Sequence, residues 1–276
     1  MRRAAPALLL LAPLLVCLGL AYFLPFLGVA RWSVTLPQPG FGQYGALMTD
    51  PLVRSVFLRS FRICGIVALA SVSAAYAIAF VWVRGTPAQR LATEFCILIP
   101  FWLSVLTRAF GWVALLANRG LINTWLRAAG LVDDPLPLSD SELAVVLGMT
   151  HFLIPFAVFP LASAMRSVDD RVLLAARGLG AGRVRVFWSV FVPMTRSGII
   201  GAAMLVFVFA LGFFVTPAIL GGGRSIMLAE LVYVRIFQSP DWGLGAAISV
   251  ALVALVAVML GALFRIVRPV HLVGPR

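Results

Sequence analysis

Apolar residues do not alternate with polar ones along this chain; they run in long blocks, and the polar positions collect between them. A block of about 20 apolar residues, rising about 1.5 Å each as a helix, crosses the hydrocarbon core of a bilayer. Six blocks are legible, at about 7–30, 56–83, 95–117, 143–165, 198–220 and 244–264. The pattern predicts an all-α, polytopic membrane protein with six transmembrane helices. The first block follows Met1-Arg2-Arg3 and continues through Tyr22, Phe23 and Phe26. That is too long for a cleaved signal peptide, so it is expected to remain as a span. Gly212 and Pro217 interrupt the fifth block. Ile226, Ala229 or Glu230, Tyr233 and Phe237 space as a short amphipathic helix before Trp242 anchors the sixth.

The longest polar interruption runs from Arg166 to Arg196, between the fourth and fifth spans. Ser167 with Asp170 predicts an N-cap and its acidic partner, and Val168, Val172, Ala175 and Leu179 share one helical face. Gly180 can end that helix. A second is expected from Arg183 to Val192, where Pro193 stops it, giving helix, turn, helix. Six arginines in this segment place it in the cytoplasm by the positive-inside rule. Both termini are then cytoplasmic, with 13 arginines inside, 8 outside and Arg108 within the third span. Arg54, Arg59 and Arg62 fall on the outer side. Their spacing predicts that this end of the second helix lies along the membrane surface or against a partner.

The composition agrees: 62% of residues are hydrophobic and 12% charged, about half the charged share of soluble domains. The net charge of +12 marks the ends of spans and not a basic globular surface, so nucleic acid is not an expected partner. Cys17, Cys64 and Cys96 lie in or beside apolar runs without metal-ligand spacing and read as small core residues. His151 stands alone in a span and His271 lies in the tail. No catalytic motif and no metal site is present in the pattern.

Leu174-Ala175-Ala176, then Gly180 after three residues, then Val190-x-Val192-Pro193, resemble the E-A-A-x3-G-x9-I-x-L-P signature of ABC importer membrane subunits. The chain departs from it at Leu174, where the family has glutamate. The resemblance implies that 166–196 is a coupling loop, with Leu174, Ala175, Ala176, Arg177, Gly180, Val190 and Pro193 at the ATPase-facing element. It implies a single permease domain over 1–276, with an importer core at about 56–264. It also implies a multi-pass protein of the bacterial cytoplasmic membrane. The partners implied are a cytoplasmic ABC ATPase dimer carrying ATP and magnesium, a second permease subunit and an extracytoplasmic solute-binding protein. No cofactor is expected on this chain itself.

Pro100-Phe101-Trp102, Arg108, Trp112, Asn118 to Asn123, Phe214-Val215-Thr216-Pro217 and Asp241 to Ala247 look like the spermidine/putrescine branch of that family. A polyamine or a related small organic solute is the cargo this implies. Arg108 stands out physically as well, because a guanidinium in a span costs at least about 2.5–3.5 kcal/mol unless it meets a partner or a wet cavity. Two readings follow: it lines the solute path, or it bonds backbone carbonyls freed near a kink. Trp102, Trp112, Phe213, Phe214 and Thr216 are the further path candidates, the aromatic ones offering faces to an alkylammonium group. The competing class is an ATPase-independent secondary transporter or channel. Inverted repeats and intramembrane carboxylates would mark that class.

Overall fold

The computed structural model describes residues 4–267, and side chains are discussed for residues 11–265. Among the described residues fourteen α-helices follow one another: α1 (Ala4–Thr35), α2 (Gly42–Thr49), α3 (Pro51–Arg84), α4 (Pro87–Trp102), α5 (Val105–Leu116), α6 (Leu121–Ala128) and α7 (Glu142–Arg166), then α8 (Asp170–Gly178), α9 (Arg183–Val186), α10 (Val192–Met194), α11 (Arg196–Leu211), α12 (Val215–Leu220), α13 (Leu228–Tyr233) and α14 (Trp242–Val267). π-Helical turns occupy Phe187–Phe191 and Val234–Gln238. No strand occurs among the described residues.

Among the described residues four helices, α1, α3, α7 and α14, are long and apolar enough to cross a membrane. The number rises to six if two bent pairs each count as one span. One pair joins α4 to α5 and α6 through a 100° bend, and the other joins 183–194 to α11 through 62°. The first bend corrects the expectation of a continuous third span. Pro100 cannot donate to the carbonyl one turn earlier, and Leu103 and Ser104 are extended at ψ 140° and 142°. A helix of 95–117 is therefore divided, and Arg108 falls in the first turn of its second half. The expected loop after it contains α6.

Two compact units are present. One is built from residues up to Ser55 together with Leu231–Leu255. Here Asp50 caps α3 by accepting from Leu52 and Val53 N–H at 2.8 and 3.4 Å, and Pro51 supplies the first helical residue. Asp50 also pairs with Arg235 at 3.6 Å, Trp32 meets Trp242 edge-on at 5.4 Å, and Gly243 lets α14 approach the Leu36 backbone.

The other unit comprises, among the described residues, Val56–Glu230 and the end of α14 from Val256. Its central element is α7, which packs against α4, α5, α11 and α12 and buries Met149, Leu153 and Leu161 completely. Small residues permit this. A Cβ on Gly148 would lie 2.5 Å from Leu220 Cδ1 and 2.9 Å from Thr216 Cγ2, and one on Gly198 would overlap the Ala164 methyl. Without a hydrophobic drive between helices in lipid, such close backbone approach is what holds them together.

Helix α3 runs beside α7 in the same direction. Arg62 bonds both oxygens of Glu142 at 2.6 and 2.5 Å, Ser71 Oγ donates to Thr150 O at 3.5 Å, and Arg166 lies 4.9 Å from the Trp82 ring. The arginines near its start, expected along the membrane surface or against a partner, are engaged within the chain itself. The helix is unbroken, and Arg59 and Arg62 bind within the unit, Arg59 donating to Arg224 O at 3.0 Å. Of the cysteines only Cys64 is buried; Cys17 and Cys96 are exposed on their helices, a correction that follows from the apolar outer surface of a membrane helix.

Candidate coupling surface and solute route

The 166–196 segment folds as a helical hairpin, with its cap two residues away from the expected place. Asp169, not Ser167, caps α8 by accepting from Arg171 N–H at 2.9 Å. Ser167 ends α7, its hydroxyl donating to Ala164 O at 2.7 Å. Helix α8 closes at Gly178, Leu179 is its C-cap, and Gly180 takes φ +87°, a left-handed conformation open to glycine. Pro193 does not stop the second helix at Val192. Helix α9 passes through the π turn into α10, which contains Pro193 and ends at Met194. Proline is tolerated there in the first turn of α10.

Helix α8 buries no residue. Of the residues expected to share its apolar face, Val168 precedes the helix and is buried, while Val172, Ala175 and Leu179 are exposed. Leu174 is 61% exposed and Leu179 90%, with Ala175, Arg177, Gly180, Val184 and Trp188 also exposed and Ala176 and Val190 partly so. Exposed apolar side chains around a two-alanine, glycine-turn surface leave room for a second protein's backbone to approach closely. The hairpin's other side is anchored. Phe80 of α3 meets Phe187 and Phe191 edge-on at 5.5 Å, and the Tyr76 hydroxyl lies 2.9 Å from that of buried Thr195. A cleft of about 560 Å³ remains between Phe80, Arg84, Arg177 and Arg183.

Several route candidates gather on α7, and the residues that gather them were not candidates. Arg108 lies 4.0 Å from the centre of the Phe152 ring and donates to Leu103 O, at the α4–α5 bend, at 3.0 Å. Its Nε and Nη1 are buried without a protein acceptor among the described residues. Phe152 also contacts Phe213 edge-on at 4.8 Å and stacks on Phe156, which reaches Phe101 at 5.6 Å. Trp112 Nε1 donates to His151 Nδ1 at 3.3 Å, and Trp112 and Thr216 both stand over Gly148. His151 is thus not alone in its span. Trp102 stands apart, 81% exposed with its ring against Phe101, and Phe214 caps α12. The spacing 151, 152, 156 is helical, but only packing shows which face it forms.

Outside the spans, Glu230 is buried, with Oε2 unpartnered among the described residues. Burial pushes its carboxyl pKa above the usual range, while the Met227 N–H holds it back. Among the described residues no three His, Cys, Asp or Glu side chains come together as a metal site would need.

Residues 73–270 match the family described as binding-protein-dependent transport system inner membrane component. The chain belongs to that family. This makes it a permease subunit, a transporter component and not an enzyme, of a multi-pass inner-membrane protein class. The subunit is 32% identical over 216 residues to the spermidine/putrescine transport system permease protein PotB of Haemophilus influenzae, covering 78% of this chain and 76% of that one. It is 32% identical over 213 residues to PotB of Escherichia coli, covering 77% and 78%. In fold it is similar to a chain of a bacterial alginate ABC transporter solved with its alginate pentasaccharide-bound periplasmic protein. The TM-score is 0.76 at 15% identity, over 99% of this chain and 97% of that chain.

Proposed function

We propose that this subunit is half of the membrane path of an ATP-driven, binding-protein-dependent importer of polyamines or a closely related organic amine. The observation that carries the mechanism is the exposed hairpin, in which Ala175, Ala176 and left-handed Gly180 present a close-approach surface flanked by Leu174 and Leu179. A cytoplasmic ATPase dimer, with its ATP and magnesium, grips that surface and the matching one of a second permease subunit. The solute-binding protein delivers cargo on the opposite face, and both termini lie with the hairpin in the cytoplasm. The whole chain, 1–276, acts as one permease domain, with the importer core at about 56–264.

The cargo assignment draws on the two PotB relatives and on the aromatic face of α7. Phe152, Phe156 and Phe213, with Trp112 and Thr216 nearby, offer ring faces suited to alkylammonium groups. Arg108 sits beside this route with its charge spread over Phe152 and Leu103 O, which reduces its repulsion of a cation. The test is uptake of labelled spermidine into proteoliposomes holding the subunit with its co-purifying ATPase and permease chains. ATP-dependent uptake that needs the binding protein is expected. Uptake without the ATPase would favour a secondary transporter, and ATP-dependent uptake of other solutes alone would remove the polyamine assignment.

A further inference from the structure

One side chain ties the hairpin to the long helix beside it. Arg84, the last residue of α3, forms an ion pair with Asp170, the first residue of α8. Its Nη2 donates to Val168 O at 3.2 Å and to Met165 O at 3.5 Å, and its guanidinium lies 5.4 Å from the Phe191 ring. These groups belong to the end of α7, the start of α8 and the π turn. The fork geometry of arginine holds several acceptors at fixed angles, which a sliding apolar contact cannot do.

The helix behind Arg84 is suited to carry a displacement. Helix α3 is a single unbroken α-helix of 34 residues with proline only at its first position. About three turns in from its start, Arg62 binds Glu142 of α7 at 2.5 and 2.6 Å. From Arg62 to Arg84 the helix rises about 33 Å, close to the roughly 30 Å of a bilayer's hydrocarbon core. Arginine clasps thus stand at both membrane faces on one rod. If α8 moves, it either draws Arg84 with it or breaks the guanidinium's joint hold on the exposed Asp170 carboxylate and on the Val168 and Met165 carbonyls, a set of bonds made from one side chain to the α7–α8 junction.

We propose that Arg84 is a positioning residue of the transport cycle: the Arg84–Asp170 joint passes movement of α8 into α3, which bears on the Arg62–Glu142 clasp at the opposite face. This rests on the reading of α8 as the ATPase-docking helix. Its family glutamate is replaced by exposed Leu174, while Asp170, the acidic residue within α8, is exposed and paired with Arg84 of α3.

The test uses the full complex with its ATPase, permease partner and binding protein. In Arg84→Gln, basal ATP hydrolysis should stay within about twofold of the parent while stimulation by spermidine with the binding protein falls about tenfold or more. A reading that needs no solute is the nucleotide-dependent change in maleimide labelling of Leu143→Cys, beside Glu142, in a background lacking the native cysteines; Arg84→Gln should abolish it. The exchange Arg84→Asp with Asp170→Arg should restore at least half of both responses. If Arg84→Gln does not assemble, Asp170→Asn decides by the same readings. Leu174→Cys, crosslinked to the ATPase in parallel, separates the two ideas. Crosslinking together with unchanged responses in Arg84→Gln, or no recovery in the exchange, overturns the joint and leaves α8 as the docking helix. Absence of any crosslink overturns the docking reading and the joint with it.

Discussion

Arg108 shows how one side chain can satisfy two readings of the same sequence position. Its bond to Leu103 O and its place over Phe152 make it a brace for the α4–α5 bend, standing beside the proposed route. Arg108→Ala should therefore lower the stability of the purified subunit by about 1–3 kcal/mol, the scale of a charge-assisted bond lost from a partly buried site. KM for spermidine should be unchanged or lower, since a positive charge leaves the route. A thermal-shift series with uptake kinetics checks both, and a KM raised tenfold would mean that the guanidinium binds solute. Glu230 gives a pH prediction. Its folded pKa is raised, so its contribution to stability is complete below the ordinary carboxylate pKa of about 4.3 and is lost as pH rises through the folded value. Amide protection around α13, corrected for the intrinsic rise of exchange with pH, should be greater at pH 5 than at pH 8, and Glu230→Gln should flatten that difference.

At the scale of elements, the hairpin is set by local backbone chemistry while its caps are set by competition. Asp169 and Ser167 are both able to cap; Asp169 does so because Ser167 is still within reach of Ala164 O at the end of α7. The turn itself rests on Gly180, which has nothing within 4 Å of a would-be Cβ, so a substitution there is resisted by φ +87° alone. Gly180→Val should cost about 1–2 kcal/mol locally and abolish solute-stimulated ATP hydrolysis with the subunit still in the membrane. Gly180→Asn, which tolerates the left-handed region, should keep most of the stimulation. Equal loss in both variants would show that the side chain's bulk at the docking surface matters, and not the turn.

For the molecule as a whole, the arginine distribution predicts that the hairpin and both termini share one side of the membrane. Reporter fusions after Val168 and after Asp134 should report opposite compartments, and the same compartment for both would remove the six-span arrangement. The apolar blocks, the glycine turn and the A-A-x3-G spacing were legible in the sequence because each depends on residues close in the chain, through helix length, backbone freedom and local periodicity. The break at Leu103–Ser104, the gathering of Arg108 and Phe213 on Phe152, the Trp112–His151 bond and the Arg84–Asp170 pair were not. The residues of each contact pair are separated by 39 to 86 positions where they come from different helices. No spacing rule links them, because which faces of two helices meet is decided by small residues such as Gly148 and Gly198 admitting one backbone against another. The sequence alone determined that the chain is built of apolar helices able to span a membrane and that a glycine turn divides its longest polar segment; tertiary packing decided which charges hold that turn to the neighbouring helices.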